Sequence, residues 1–127
     1  MRTCRLLLII VTIMLALGCA ASPPPTPPSV DVSGTWVGTW AAFQGTGGAG
    51  QIRGEFRQDG ATVYGNFEIN NPAVDPPVSR TYVNGMVFGN QLKLYAPSEG
   101  LLVVEGNEMT GDVQTIVLST IKLRRQP

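Results

Sequence analysis

The residue with the clearest potential for chemistry is Cys19, whose thiol follows a short apolar run. Arg2 and Arg5 precede that run, which covers residues 6–17, and Gly18 separates it from the cysteine. A positive start, an apolar middle and small residues at the end are typical of a secretory signal. The run is too short to span a bilayer, which takes about 20 apolar residues. We therefore expect residues 1–18 to be a signal peptide that exports the protein.

The segment Leu15-Ala16-Leu17-Gly18-Cys19 resembles the lipobox of bacterial lipoproteins, although that family usually has leucine where Ala16 stands. The resemblance implies that a diacylglyceryl group joins the Cys19 sulfur, that the chain is cut before Cys19, and that a further acyl chain follows. Two or more acyl chains hold a protein firmly on a membrane. Ala20 in place of aspartate resembles lipoproteins sent to the outer membrane. The alternative is an ordinary signal cut after Ala20 or Ala21, which would release a soluble protein.

Other reactive groups are scarce. The cysteines are Cys4 and Cys19, so the folded body has no thiol, and the chain has no histidine. Without a thiol, the folded body can form no disulfide. Without histidine, it lacks the usual general base and the commonest transition-metal ligand. Strand alternation predicts that Glu55 and Glu68 face solvent, and Asp75 stands alone among prolines rather than in a calcium-binding loop. We expect no catalytic residue, no cofactor and no metal site, and hence no enzyme.

The charge balance argues against a polyanionic partner. Two of the nine Lys and Arg residues precede Cys19, which leaves seven against nine Asp and Glu, a net charge near −2. Nucleic-acid binding needs a concentrated basic surface. The only basic group near the C-terminus is Lys122, Arg124 and Arg125, which we interpret as the solubilising end of a strand. Nucleic acid is therefore not an expected partner.

The amino-acid composition differs between two segments after Cys19. Residues 20–30 contain five prolines and no charged residue. Proline cannot join a helix or a sheet ladder, and such runs favour extended polyproline II. We predict a tether over residues 19–31 and a folded domain over residues 32–125.

The domain predicts only β-structure. Short alternating segments separated by glycine and asparagine show no convincing helical period. In residues 53–57, for example, Arg53, Glu55 and Arg57 alternate with Gly54 and Phe56. We predict eight strands, at roughly 34–43, 50–58, 61–69, 79–88, 91–96, 100–105, 107–113 and 115–124. Short connections make neighbours antiparallel, and closure removes exposed edges, so we expect a small up-and-down barrel.

A weak repeat supports this fold. An apolar residue, any residue and then glycine recur at Trp36-Val-Gly38, Ile52-Arg-Gly54, Val63-Tyr-Gly65, Val83-Asn-Gly85 and Met109-Thr-Gly111. Because the apolar residue and the glycine are two positions apart, both point to the inner face of the strand. Inward glycines allow strands to coil and backbones to approach in a narrow barrel. The alternative is that they clear room for a ligand.

Gly34-Thr35-Trp36, at the start of the first strand, resembles the opening of lipocalins, avidin-like barrels and bacterial protease-inhibitor barrels. This resemblance implies a calycin-type barrel and carries over no binding residue. An eight-stranded barrel is filled by side chains or holds one small ligand. We expect most of the interior to be packed, with any cavity small, apolar and near the open end. Strand alternation predicts a bulky set of inward residues: Trp36, Trp40, Ile52, Phe56, Val63, Phe67, Val83, Val87, Leu92, Leu94, Leu102, Val104 and Met109. Among them, the candidate lumen residues are Trp36, Trp40, Phe56 and Phe67.

A second candidate site lies on the outside of the fourth to sixth strands. The outward positions there include the apolar residues Met86, Phe88, Tyr95, Leu101 and Val103. Contiguous apolar patches often mark contacts with proteins or membranes. The alternative is that a loop covers them, and the proline-rich residues 70–78 are a candidate cover.

The glycine-rich residues 45–50, between the first and second strands, predict a loop at the barrel rim. The alternative is that this loop is a gate over a pocket.

Together these features predict a membrane-anchored lipoprotein of the cell envelope, facing the periplasm or the outside. Its barrel would bind a small apolar ligand or an envelope protein without catalysis. The alternative is a structural or protease-inhibitor-like envelope protein with a filled barrel and no lumenal ligand.

Overall fold

The computed structural model describes residues 24–43, 47–115 and 117–127. Cys19, the predicted signal peptide, the first part of the predicted tether and residues 44–46 of the glycine-rich segment lie outside the described residues. No helix in the described ranges is long and apolar enough to cross a membrane.

The domain is a closed barrel of eight antiparallel strands, as the sequence predicts. The strands are β1 (Gly34–Ala42), β2 (Ala49–Asp59), β3 (Thr62–Asn70), β4 (Val78–Phe88), β5 (Gln91–Tyr95), β6 (Glu99–Glu105), β7 (Glu108–Gln114) and β8 (Leu118–Arg125). Each strand pairs with the next one along the chain, and β1 pairs with β8, where Trp36 lies opposite Arg125. Because every strand has two neighbours, no sheet edge is left open. This architecture is consistent with a lipocalin-like fold.

The interior is built from alternate residues of each strand. Every residue of the predicted inward set is buried: Trp36, Trp40, Ile52, Phe56, Val63, Phe67, Val83, Val87, Leu92, Leu94, Leu102, Val104 and Met109. The sequence analysis missed Val32, Val113, Ile121 and Leu123, which complete the core. Phe56 and Phe67 meet edge to face, with ring centroids 5.5 Å apart. The middle of the barrel is therefore packed with side chains.

The inward glycines bring neighbouring backbones together. A Cβ on Gly38 would overlap the backbone carbonyl of Lys122, and one on Gly65 would overlap that of Glu55. Main-chain atoms of a neighbouring strand fill these two places, and the same holds for Gly85 and Gly111. At Gly54 the Phe56 ring fills the place, so the glycines of the repeat do not leave space for a ligand. The structure supports the first of the two explanations for the repeat, which is close strand approach in a narrow barrel.

The two ends of the barrel differ. At one end, the two-residue turns at 60–61, 89–90 and 106–107 connect the strands, and their glycines have positive φ. The chain enters the barrel at this end, which we call the closed end. At the other end the connections are longer. Their described residues are 43, 47–48, 71–77, 96–98, 115 and 117, and several of these border an opening, which we call the mouth.

Candidate functional site

The closed end is sealed by the segment that precedes β1. Val32 is fully buried, and the Trp36 indole N–H donates a 2.9 Å hydrogen bond to its carbonyl oxygen. Gln58 fixes the same segment, because its Oε1 accepts from the Val32 N–H at 2.8 Å and its Nε2 donates to the Val30 carbonyl at 3.1 Å. The segment therefore behaves as a plug with no room for a ligand beneath it.

Arg125 locks this plug from the last strand. Its Nη1 donates to the Ser33 carbonyl at 2.7 Å, and its Nη2 donates to the Asp31 carbonyl. The guanidinium lies 4.4 Å from the Trp36 ring centroid, within cation–π range. Hydrogen bonds from Ser33 lower the pKa of the Asp31 carboxyl, with a smaller contribution from the Arg125 charge. The last strand and the first are thus tied through the N-terminal segment.

That segment also follows the outside of the closed end. Pro28 bridges Gly89 in the β4–β5 turn, the Ser29 N–H donates to the Gly89 carbonyl at 2.8 Å, and the Gly89 N–H donates to the Pro27 carbonyl at 3.1 Å. The barrel therefore makes ordered contacts with the proline-rich segment as far upstream as Pro27.

The mouth contains an apolar cavity of about 450 Å³. Such a volume lies within the usual range of about 300–1,000 Å³ for small-molecule pockets. Its lining is Trp40, Gly47, Ile69, Asn71, Val74, Pro76, Pro77, Ser79, Thr115 and Val117. Larger depressions lie on the outer wall, but these are open grooves with charged side chains such as Arg53 and Lys93. The mouth is the best candidate for a ligand site because it combines an apolar lining with partial enclosure.

Trp40 is the rigid aromatic wall of this cavity. Its side chain comes from the inner face of β1 and is 5% exposed. Its indole N–H donates a 3.0 Å hydrogen bond to the Asn70 carbonyl at the end of β3. The ring is therefore fixed, and its one donor is already satisfied.

The β3–β4 loop forms the opposite wall and is held by Asn71. The Asn71 N–H donates to the Pro77 carbonyl at 2.7 Å, and its side-chain oxygen accepts from the Ala73 N–H at 3.1 Å. Its amide nitrogen approaches the Gly47 carbonyl at 3.5 Å, across the mouth. These contacts turn Val74, Pro76 and Pro77 toward the cavity, so the proline-rich loop belongs to the site.

Only one of the four predicted lumen residues lines the cavity. Trp40 lines the mouth, whereas Trp36, Phe56 and Phe67 lie in the packed interior and do not border the cavity. Ile69, Val117 and four residues of the β3–β4 loop also line the cavity and were not among the predicted lumen residues. A signal was present, because residues 70–78 combine prolines with two valines, but it was interpreted as a cover for the outer wall.

The residues of the predicted outer patch lie on the neighbouring strands β4–β6, but polar side chains stand between them. Register places Met86 beside Lys93 and Lys93 beside Leu101, while Phe88, Gln91 and Val103 form the next row. Leu101 is exposed, and Met86, Phe88, Tyr95 and Val103 are half-buried. The Lys93 ammonium lies 5.7 Å from the Tyr95 ring centroid. Lys93 and Gln91 therefore divide the apolar surface. Residues 70–78 were predicted as a possible cover for it, but Asn71, Val74, Pro76 and Pro77 from that segment line the mouth instead.

No protein-family model, curated protein or solved structure matches this chain.

Acidic residues on the outer wall of the barrel form solvent-exposed ion pairs with arginines. Glu55 contacts Arg53 at 3.0 Å, and Glu68 contacts Arg80 at 2.9 Å. Within the described ranges, no three acidic or other metal-binding side chains come together as a possible metal site. These ion pairs resemble ordinary surface pairs, which contribute about 0–1 kcal/mol.

Proposed function

We propose that this protein is a lipid-anchored lipoprotein of the bacterial envelope whose barrel mouth binds a small apolar molecule without catalysis. The observation that carries the binding proposal is the 450 Å³ cavity between the fixed Trp40 ring and the β3–β4 loop. Concave, largely apolar sites with a few polar groups are the usual form of small-molecule pockets. The packed interior below the cavity limits the ligand to the mouth.

The anchor proposal is supported by the signal-like N-terminus and Cys19 in its lipobox-like setting. We expect the mature chain to begin at Cys19 and to reside in the envelope, at the outer membrane where the host has one. Labelled fatty acid should be incorporated by the wild type and by the Cys4→Ala variant, and lost in Cys19→Ala. Unchanged labelling of Cys19→Ala would contradict the anchor without affecting the binding proposal.

The binding proposal is tested with the neutral apolar probe N-phenyl-1-naphthylamine. We expect the probe to become fluorescent in the mouth and to be excited by energy transfer from Trp40. Trp40→Phe should lower this transfer only in part, because Trp36 lies four residues further along β1, or about 13 Å away, and remains within range of the probe. The affinity of the probe is therefore the primary readout.

Two exposed valines give a matched pair of variants. Val74 is 53% exposed and lines the cavity, whereas Val37 is 36% exposed on the outer wall of β1. A charge beside an apolar ligand must be desolvated, so Val74→Glu should weaken probe binding at least about tenfold, or about 1.4 kcal/mol. Val37→Glu should leave the affinity unchanged. Equal effects of the two variants, or no saturable binding by the wild type, would refute the mouth as a ligand site.

A further inference from the structure

Among the described residues, no charged side chain lines the cavity at the mouth. The polar residues in its lining are Asn71, Ser79 and Thr115. The indole N–H of Trp40 is not free, because it donates to the Asn70 carbonyl. A bound molecule therefore meets apolar surface and a few neutral hydrogen-bonding groups.

The surroundings of the mouth are almost without charge as well. The four connections at this end, residues 43–48, 71–77, 96–98 and 115–117, contain one charged residue, Asp75, which is acidic. The nearest arginine in sequence is Arg80, whose side chain is 77% exposed and pairs with Glu68 at 2.9 Å on the outer wall. None of the described residues that line the cavity is therefore a cationic partner for a carboxylate, and Asp75 in the β3–β4 loop carries like charge.

The energetic consequence differs for neutral and charged ligands. A hydroxyl or amide can exchange water for the Ser79, Thr115 or Asn71 groups at small cost, since a polar group needs only a hydrogen-bond partner when it is buried. An ionised carboxylate without a counter-charge loses far more on leaving water. Both kinds of molecule gain equally from burial of the same hydrocarbon chain.

We infer that the mouth selects uncharged apolar molecules, such as long-chain alcohols, esters and amides, and discriminates against carboxylates of the same chain length. This inference rests on the proposed function, because it specifies the ligand class of the same cavity.

The test compares 1-decanol with decanoate at neutral pH, each displacing N-phenyl-1-naphthylamine from the wild-type protein. The chains have the same length, so the head group is the main variable. We expect decanol to bind at least about tenfold more tightly. Decanoate binding should recover toward about pH 4, where much of the acid is protonated. Equal affinities, or tighter binding of decanoate at neutral pH, would overturn the inference while leaving the ligand site intact. Failure of all three molecules to bind would instead refute the proposed function.

A pair of lysine variants tests whether a cation in the lining can reverse the preference. Thr115→Lys places a cation on the lining, whereas Thr62→Lys makes the same change in net charge at the closed end. We expect Thr115→Lys to improve decanoate binding several-fold and to leave decanol binding nearly unchanged or weaker. Thr62→Lys should change neither. An equal gain from both lysines would mean that overall charge, rather than the lining, sets the preference, and would also overturn the inference.

Discussion

Arg125 should contribute far more to stability than its neighbour Arg124. Arg125 donates to two backbone carbonyls of the N-terminal segment and lies over the Trp36 ring. Arg124 makes one ion pair with Glu108, at 2.9 Å, and both side chains are largely exposed. The two arginines are adjacent in β8, so they form a matched pair for substitution.

The expected magnitude follows from these contacts. Hydrogen bonds from a charged donor contribute about 1.5–3 kcal/mol each when shielded, and a cation–π contact contributes about 0.5–2 kcal/mol. Since Arg125 is only half-buried, we take the low end, and Arg125→Ala should cost about 3 kcal/mol. An exposed ion pair contributes about 0–1 kcal/mol, so Arg124→Ala should cost less than 1 kcal/mol. Arg125→Lys keeps the charge but not the planar two-pronged donor, and should recover less than half of the loss.

The assay is equilibrium unfolding in urea, followed by tryptophan fluorescence and circular dichroism. For a domain of this size, about 3 kcal/mol corresponds to a fall in Tm of at least about 10 °C. Costs for Arg125→Ala and Arg124→Ala that agree within about 0.5 kcal/mol would refute the lock. Full recovery by lysine would show that charge alone matters and that the fork geometry does not.

Three further predictions concern single positions. Gly65→Ala would overlap the Glu55 carbonyl and should cost at least about 2 kcal/mol in urea unfolding; an unchanged midpoint would mean that β2 and β3 lie further apart. Ser98 is fully buried, and its hydroxyl has no hydrogen-bond partner among the described residues, so Ser98→Ala should leave stability equal or raise it by about 1 kcal/mol; a clear loss would reveal a partner. The lowered pKa of Asp31 means that its ionised form stabilises the fold above its ordinary value of 3.8 and that this contribution is lost as pH falls through the lower folded value. The Tm difference between wild type and Asp31→Asn should therefore shrink below about pH 4, and a constant difference would count against the hydrogen bonds from Ser33.

The strands were predictable because alternation and turn residues are local signals. β2 and β3 were placed within one residue at each end, since the segment around Gly60 marks the turn clearly. β8 was predicted from residue 115 but begins at Leu118, because Thr115 donates to the Val117 carbonyl in a turn. The alternation of residues thus predicts that a strand exists more accurately than it predicts where the strand begins and ends.

The two ends of the barrel were less predictable because they depend on contacts between distant residues. Val32 is held as a plug by distant residues such as Gln58, which lies 26 positions later and binds its backbone N–H. The cavity wall depends on how Asn71 folds the β3–β4 loop, and loops have no periodic signal to read. The sequence therefore pointed to Trp40 as a lining residue without indicating which loop would face it.

The position of the N-terminal segment separates the point where the chain joins the barrel from the cavity. Residues 27–33 run across the pole of the molecule that is opposite to the mouth. If Cys19 carries the anchor, the tether would reach the barrel at the end remote from the cavity, so the tether would not obstruct the entry of a hydrophobic molecule.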